Sequence, residues 1–269
     1  MTDAAAPRKR HRPESPFRVH LRVVTALLRR EMATRYGRTS GGYFWAVAEP
    51  AGMIGMMSMA FAALSRKPDL GQSFIVFFAT GFLSFNFYRM TAMQLFSTVR
   101  SNRALLNYPN VAIYDAMVAR LLLQTLTNCM VAAVILGIAI WYTEESVQLD
   151  VAWIAPALGA ATLLAFGVGV MNSVLFQMFP LYQRVFLIVN RPLFIISGVL
   201  YIPEILPTQL RELIAWNPLV HVVSGFRQGV YPSYHSMITQ LEYPALCGLV
   251  TLALGLLLLR RFGERLMDQ

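Results

Sequence analysis

Lysine is nearly missing from this chain: Lys9 and Lys67 are its two occurrences in 269 residues. A phosphate-cradling loop needs a glycine-rich turn followed by a lysine that reaches the phosphates. Neither lysine has that context, so the chain does not bind ATP through such a loop. Cysteine is as scarce. Cys129 and Cys247 each sit inside an apolar stretch with no second cysteine or histidine at ligand spacing, which leaves disulfide and zinc readings nothing to build on. His11, His20, His221 and His235 form no H-E-x-x-H pair, no G-x-S-x-G elbow occurs, and the sparse acidic residues show no cluster of the kind a lipid-linked glycosyl transferase would need. The expectation is a protein without catalytic machinery, metal or cofactor of its own. Charge is the last shortage: 14% of residues are charged, against about a quarter in a soluble domain.

What fills the space is apolar. The hydrophobic fraction is 56%, more than a soluble fold of this length can hide. A helix crossing the hydrocarbon core takes about 20 residues. Blocks near that length run over 43–64, 73–96, 112–142, 151–179, 185–201 and 244–259, the last two short. These predict six transmembrane helices in one all-α membrane domain over 41–269.

The net charge of +9 resembles a nucleic-acid signature until the basic residues are located. Ten of the 23 precede Gly41, and Arg100, Arg103, Arg184, Arg260, Arg261 and Arg265 fall on the same side of the membrane. Arg66, Lys67, Arg211 and Arg227 fall opposite. The positive-inside rule then puts both termini in the cytoplasm and predicts no nucleic-acid partner. A signal peptide would also place a basic leader before an apolar block ending in Ala60-Phe61-Ala62. The block is of full span length, however, where a signal core is about 7 to 15 residues.

Residues 1–16, with Arg8-Lys9-Arg10-His11-Arg12 among prolines, read as a disordered basic tail. Over 17–40, Phe17, Leu21, Val24 and Leu28 share a helical face beside Arg18, Arg22 and Arg29. That pattern predicts an amphipathic helix lying along the membrane surface, or packed on a partner, or both. In the fourth block Ala157, Ala161, Ala165, Gly169 and Ser173 recur every fourth residue, a ridge that admits a close helix within the subunit or across a dimer. The apolar run 213–226 is too short to span and is broken at Asn217-Pro218. It predicts a re-entrant hairpin before the last span, hinged at Trp216-Asn217-Pro218. An amphipathic helix on the outer surface is the alternative.

A charge in hydrocarbon costs about 2.5–3.5 kcal/mol on insertion scales and usually faces a partner or a pathway. Glu49, Arg89, Asp115, Arg120 and Arg191 are the ionisable residues inside spans. Arg191, between Asn190 and Pro192, and Arg89 are candidates to meet anionic groups of a transported molecule, unless they snorkel. Asp115 and Arg120 suit a salt bridge or snorkelling at the inner boundary. Phe74, Phe77, Phe78, Phe82, Phe85, Phe87 and Tyr88 read mostly as lipid-facing or interfacial rings. A minority of aromatics can line a sugar path, with Tyr43, Trp45 and Trp216 as ring candidates and Arg227 as a further cation.

The order Tyr36-Gly37-Arg38-Thr39-Ser40-Gly41-Gly42-Tyr43-Phe44-Trp45, Glu49-Pro50, six spans, Trp216-Asn217-Pro218-Leu219 and Phe226-Arg227 resembles the type 2 ABC exporter permeases over nearly the whole chain. Within them it is most similar to the capsular polysaccharide export permeases. The resemblance implies a homodimer joined to two copies of a cytoplasmic ATPase subunit that holds the ATP and Mg. It implies that Ser101, Asn102, Arg103, Leu105, Leu106, Asn107, Tyr108 and Pro109 form the coupling helix docked on that ATPase. It also implies a lipid-linked acidic polysaccharide as substrate, residence in the bacterial inner membrane, and a periplasmic polysaccharide co-polymerase and an outer-membrane export protein as partners. O-antigen, teichoic acid or a small amphiphilic drug are the alternative cargoes.

Overall fold

The computed structural model describes residues 15–35, 41–64, 67–102, 112–145 and 147–267. Most of the expected basic tail, residues 36–40, and Arg103, Leu105, Leu106, Asn107, Tyr108 and Pro109 of the expected docking segment lie outside the described residues. Among those described, the chain is helical without strands: α1 Pro16–Arg35, α2 Gly42–Ala63, α3 Phe74–Phe96, α4 Thr98–Ser101, α5 Ile113–Thr143, α6 Val151–Met178, α7 Pro180–Ile196, a 3-10 turn Pro203–Ile205, α8 Thr208–Ala215, α9 Pro218–Gln228 and α10 Glu242–Met267.

By length and composition α2, α5, α6 and the Glu242–Gly263 part of α10 can cross a membrane. The other two expected spans differ from these for separate reasons. In α3, 23 residues long, Thr80, Ser84, Asn86, Arg89, Thr91 and Gln94 dilute the apolar run. Helix α7 has 17 residues, about 25 Å at 1.5 Å per residue. It also starts and stops earlier than the hydropathy block 185–201 implies. Pro180 occupies its first turn, where the missing N–H costs nothing. Its end is set by Gly198 at φ 75°, beyond the Ser197 cap, a left-handed stop that other residues resist.

Helix α3 is the axis of the subunit. Every residue from Val76 to Tyr88 is buried, and α2, α5, α6 and α9 all pack on it. The expectation of lipid-facing rings fails here: Phe77, Phe78, Phe82, Phe85, Phe87 and Tyr88 are core residues. A helix buried on all sides shows no amphipathic face for a sequence reading to find. Its hydroxyls are made compatible with burial by bonding backward to the helix, Thr80 to the Phe77 carbonyl, Ser84 to Thr80 and Thr91 to Phe87. From α5, the Asn128 amide donates to the Phe87 carbonyl at 3.2 Å and to the Thr91 hydroxyl at 3.1 Å. Such interhelical bonds supplement the close packing that holds helices together in lipid.

The small-residue ridge of α6 packs within the subunit. Ala157, Ala161, Ala165 and Ser173 are 0% exposed, and a Cβ at Gly169 would lie 2.6 Å from the Leu95 Cβ of α3. A second seam joins α6 to α10. A Cβ on Gly248 would fall 2.7 Å from the Leu163 carbonyl carbon, and one on Gly255 would fall 2.7 Å from the Met171 nitrogen.

Of the two uses expected for Asp115 and Arg120, contact with a partner is the one observed, a salt bridge in the case of Arg120. Five residues apart on α5, they turn to different partners on α1. His20 Nδ1 meets the Asp115 carboxylate at 3.0 Å, and Arg120 Nη2 pairs with Glu31. Arg120 Nη1 also donates to the Gln94 carbonyl and the Ser97 hydroxyl at the end of α3. Helix α1 thus lies against α5 of its own chain, with Leu21 exposed.

The break at Trp216-Asn217-Pro218 falls between α8 and α9 as expected. Asn217 caps α9, its side-chain oxygen accepting from Leu219 N at 3.0 Å. Residues Leu219 to Arg227 are buried, and Val222 packs with Phe87, Ala160 and Ala161, about three and a half turns in from the start of α3 and about two and a half from the start of α6.

Candidate functional site

Helices α2, α3 and α7 enclose a groove of about 880 Å³. Its walls are aromatic, with Phe82, Phe85, Tyr88 and Phe96 from α3 and Phe194 from α7. Five polar side chains interrupt them: Glu49 from α2, Asn86 and Arg89 from α3, and Asn190 and Arg191 from α7. Two of the expected path residues, Arg89 and Arg191, are therefore brought to one site from segments about a hundred positions apart.

Local structure explains the placement. Asn86 and Arg89 are three residues apart on one helix face. The Arg89 guanidinium donates to the Asn86 side-chain oxygen through Nε at 3.2 Å and Nη2 at 2.9 Å. On α7, Arg191 precedes Pro192, whose ring removes a backbone donor inside the helix. Phe194 sets the edge of α7 against α3, its ring perpendicular to Phe85 at 5.4 Å and to Phe82 at 6.2 Å. Toward the other end, Tyr182 donates to Asn172 Oδ1 at 3.0 Å, and Phe186 meets Phe96 and Phe176 edge-on. Between these anchors α7 has no buried residue. Its outer face, with Leu181, Ile188 and Val189, is exposed.

Electrostatically the groove carries two guanidiniums and one carboxylate in an apolar wall. Among the described residues, Glu49 and Arg191 make no hydrogen bond or ion pair. Charges with low-dielectric surroundings act on a ligand more strongly than they would in water. The arrangement can hold an oxyanion through Arg89 and Arg191 and offers ring faces on which a sugar or another planar apolar surface can stack.

The remaining expected path residues lie elsewhere. Tyr43 and Trp45 are on the exposed start of α2, and Trp216 is 77% exposed at the break between α8 and α9. Arg227 is 0% exposed. Its Nη1 donates to the carbonyls of Gly198 (2.6 Å) and Tyr201 (2.8 Å), and Nη2 to that of Val199 (2.6 Å), while the guanidinium lies 4.2 Å from the Phe77 ring centroid. A guanidinium stays protonated in proteins, so the side chain is a buried cation held by backbone carbonyls. Of the expected docking segment, Ser101 ends α4, and Asn102, buried, accepts from Arg30 of α1 at 3.3 Å. Sequence reasoning passed over Asn86. Its signal was an amide one helical turn before an in-span arginine. Glu49 was singled out as an in-span charge without being joined to the path.

Comparison with known proteins agrees in family and in extent. The ABC-2 type transporter family matches residues 22–231. The polysialic acid transport protein KpsM of Escherichia coli is 33% identical over 261 residues, covering 94% of this chain and 98% of KpsM. The capsule polysaccharide export inner-membrane protein CtrC of Neisseria meningitidis serogroup A is 28% identical, with 93% and 95% covered. The capsule polysaccharide export inner-membrane protein BexB of Haemophilus influenzae is 25% identical, with 92% and 94% covered. The match to the family spans more than half the sequence and contains the whole groove, and on that ground the chain belongs to the ABC-2 type transporter family.

Proposed function

We propose that the chain is the membrane subunit of an ATP-binding cassette exporter that moves a lipid-linked acidic capsular polysaccharide across the bacterial inner membrane. The observation that carries this reading is the groove. It sets Arg89 and Arg191 among aromatic walls, in a chain similar over more than nine-tenths of its length to proteins named for polysialic acid transport and capsule polysaccharide export. Arginines hold the acidic groups and ring faces stack on the sugars. Glu49 on the opposing wall keeps the hold weak enough for the polymer to advance.

The finer architecture belongs to the same proposal. Six helices cross the membrane, α3 and α7 joining the four that are apolar enough on their own. For α3 the support is its burial by neighbours, which shields its polar groups from lipid. For α7 it is the apolar outer face. Both termini are cytoplasmic. Helix α1 lies along the inner surface, and α8 with α9 forms a hairpin re-entering from outside, a reading supported by the depth at which Val222 packs.

Two copies of the chain line the conduit, each α7 facing its counterpart. Two cytoplasmic ATPase subunits, carrying ATP and Mg, dock on the segment from Ser101 to Pro109. That segment is entered and left through residues tied to α1 by Asn102 and Asp115, which suits a loop that must transmit force. A periplasmic co-polymerase and an outer-membrane export protein carry the polymer onward. A drug-sized amphiphile as cargo would use the aromatic walls and leave both arginines idle.

The test is ATP hydrolysis by the assembled transporter in lipid nanodiscs. A lipid-linked acidic glycan is expected to stimulate it and a neutral dextran to have no effect. Equal stimulation by both, or stimulation by a hydrophobic drug alone, defeats the proposal.

A further inference from the structure

Arg89 differs from Arg191 in having its orientation set by a neighbour. Asn86 is 8% exposed, and its side-chain oxygen receives both Nε and Nη2 of Arg89. The choice of oxygen over nitrogen is dictated by chemistry, since a guanidinium only donates. A guanidinium carries five N–H groups, and Asn86 takes the Nε–H and one on Nη2. Three remain, two on Nη1 and one on Nη2, with no partner among the described residues. One on each Nη points end-on, and these two parallel donors match the two oxygens of a carboxylate or phosphate.

We propose that Asn86 is a positioning residue that holds Arg89 as a fixed two-pronged oxyanion site, the point at which the groove distinguishes an acidic polymer from a neutral one. The proposal rests on the reading of the groove as the glycan path. The surroundings favour a fixed site. Phe82, Phe85 and Tyr88, each under 7% exposed, crowd the same stretch of α3, so water does not screen the guanidinium from that side. Arg191, exposed on the thinly packed α7, supplies a mobile second contact. A rigid fork on the core helix and a flexible cation on the peripheral one let one acidic group be gripped while the next is released. The oxyanion could be a carboxylate along the sugar chain or a phosphate of the lipid anchor, since both present two oxygens to the fork.

The experiment measures ATPase stimulation of the assembled transporter in nanodiscs by three probes: a hexuronic acid oligomer without anchor, a neutral oligosaccharide carrying a terminal phosphate, and the same neutral oligosaccharide without it. Whichever of the first two stimulates identifies the source of the oxyanion. Asn86→Ala is expected to raise the half-saturating concentration of that charged probe about tenfold, the loss of one charge-assisted hydrogen bond. The maximal rate should change less than the half-saturating concentration does. Arg89→Lys keeps the charge but removes the fork, and it should give the same pattern even where Asn86→Ala does not assemble. If Arg89→Ala abolishes the response while Asn86→Ala and Arg89→Lys retain wild-type concentrations, the positioning role is refuted and the groove stands. If an Arg89→Ala, Arg191→Ala double variant responds like wild type, the groove reading itself is wrong.

Discussion

Replacing Arg227 with methionine should destabilise the protein more than it alters substrate handling. The guanidinium satisfies three carbonyls of the segment that follows α7, those of Gly198, Val199 and Tyr201. It lies over the Phe77 ring and against Gly81, where a side chain would leave no room: a Cβ there would come 2.7 Å from the Val199 oxygen. Methionine fills much of the volume but donates nothing. Each bare carbonyl then costs about 1–3 kcal/mol, partly offset because a charge no longer has to be buried. Three such carbonyls, less the desolvation cost of the guanidinium that is no longer incurred, leave a net loss of about 3–5 kcal/mol. At about 2–4 °C per kcal/mol for a chain of this size, the unfolding midpoint in nanodiscs should drop by roughly 10 °C. Arg227→Lys, which keeps donors but not the flat stack on Phe77, should fall between. A methionine variant that melts with the wild type refutes this reasoning. If it also loses glycan stimulation, Arg227 is a path residue instead of a structural pin.

Gly248→Leu should prevent folding, because the added side chain meets the Leu163 and Leu164 backbone of α6, whereas Gly55→Ala, with open space around its Cβ, should be neutral or stabilising by up to about 1 kcal/mol; membrane yield and thermal midpoint report both. Glu31→Arg should lower transport per ATP hydrolysed by breaking the pair with Arg120, and the swapped Glu31→Arg, Arg120→Glu protein should recover part of it; equal coupling in all forms would separate α1 from the energy pathway. Burial pushes the Tyr234 phenol, outside the spans, up to about 12. Its neutral form is favoured by folding, so its stabilising contribution is complete below the ordinary value near 10 and is lost as pH rises through 12. Tyrosinate absorbance should show one late-titrating group fewer in Tyr234→Phe than in the wild type.

Much of the fold was legible because hydrocarbon imposes length and composition on anything that crosses it. The block boundaries for α2, α3, α5 and α6 fall within one or two residues of the observed helices. Helix α7 was misjudged since hydropathy does not register a stop made by Gly198 or a start made by Pro180. The central place of α3 was hidden for a related reason: a ring on a membrane helix looks the same in sequence whether it faces lipid or core. Asp115 and Arg120 could not be assigned partners, because His20 and Glu31 reach them only after α1 folds back on α5. At the site, an in-span charge is expensive enough to be informative, and Arg89 and Arg191 did converge. Arg227, read in the sequence as a cation outside the spans, is spent on backbone carbonyls, a use that sequence does not distinguish from contact with a ligand. Asn86 is uncharged and carried no such warning.

On the proposed path the polymer passes along the α2–α3–α7 groove. A photo-crosslinking side chain placed at Asn190, within the groove, and at Trp141, 81% exposed at the far end of α5, tests it in exporting cells. Irradiation should attach capsular polysaccharide to the protein at position 190 and not at 141. Polymer attached at both alike, or at 141 alone, would contradict the account.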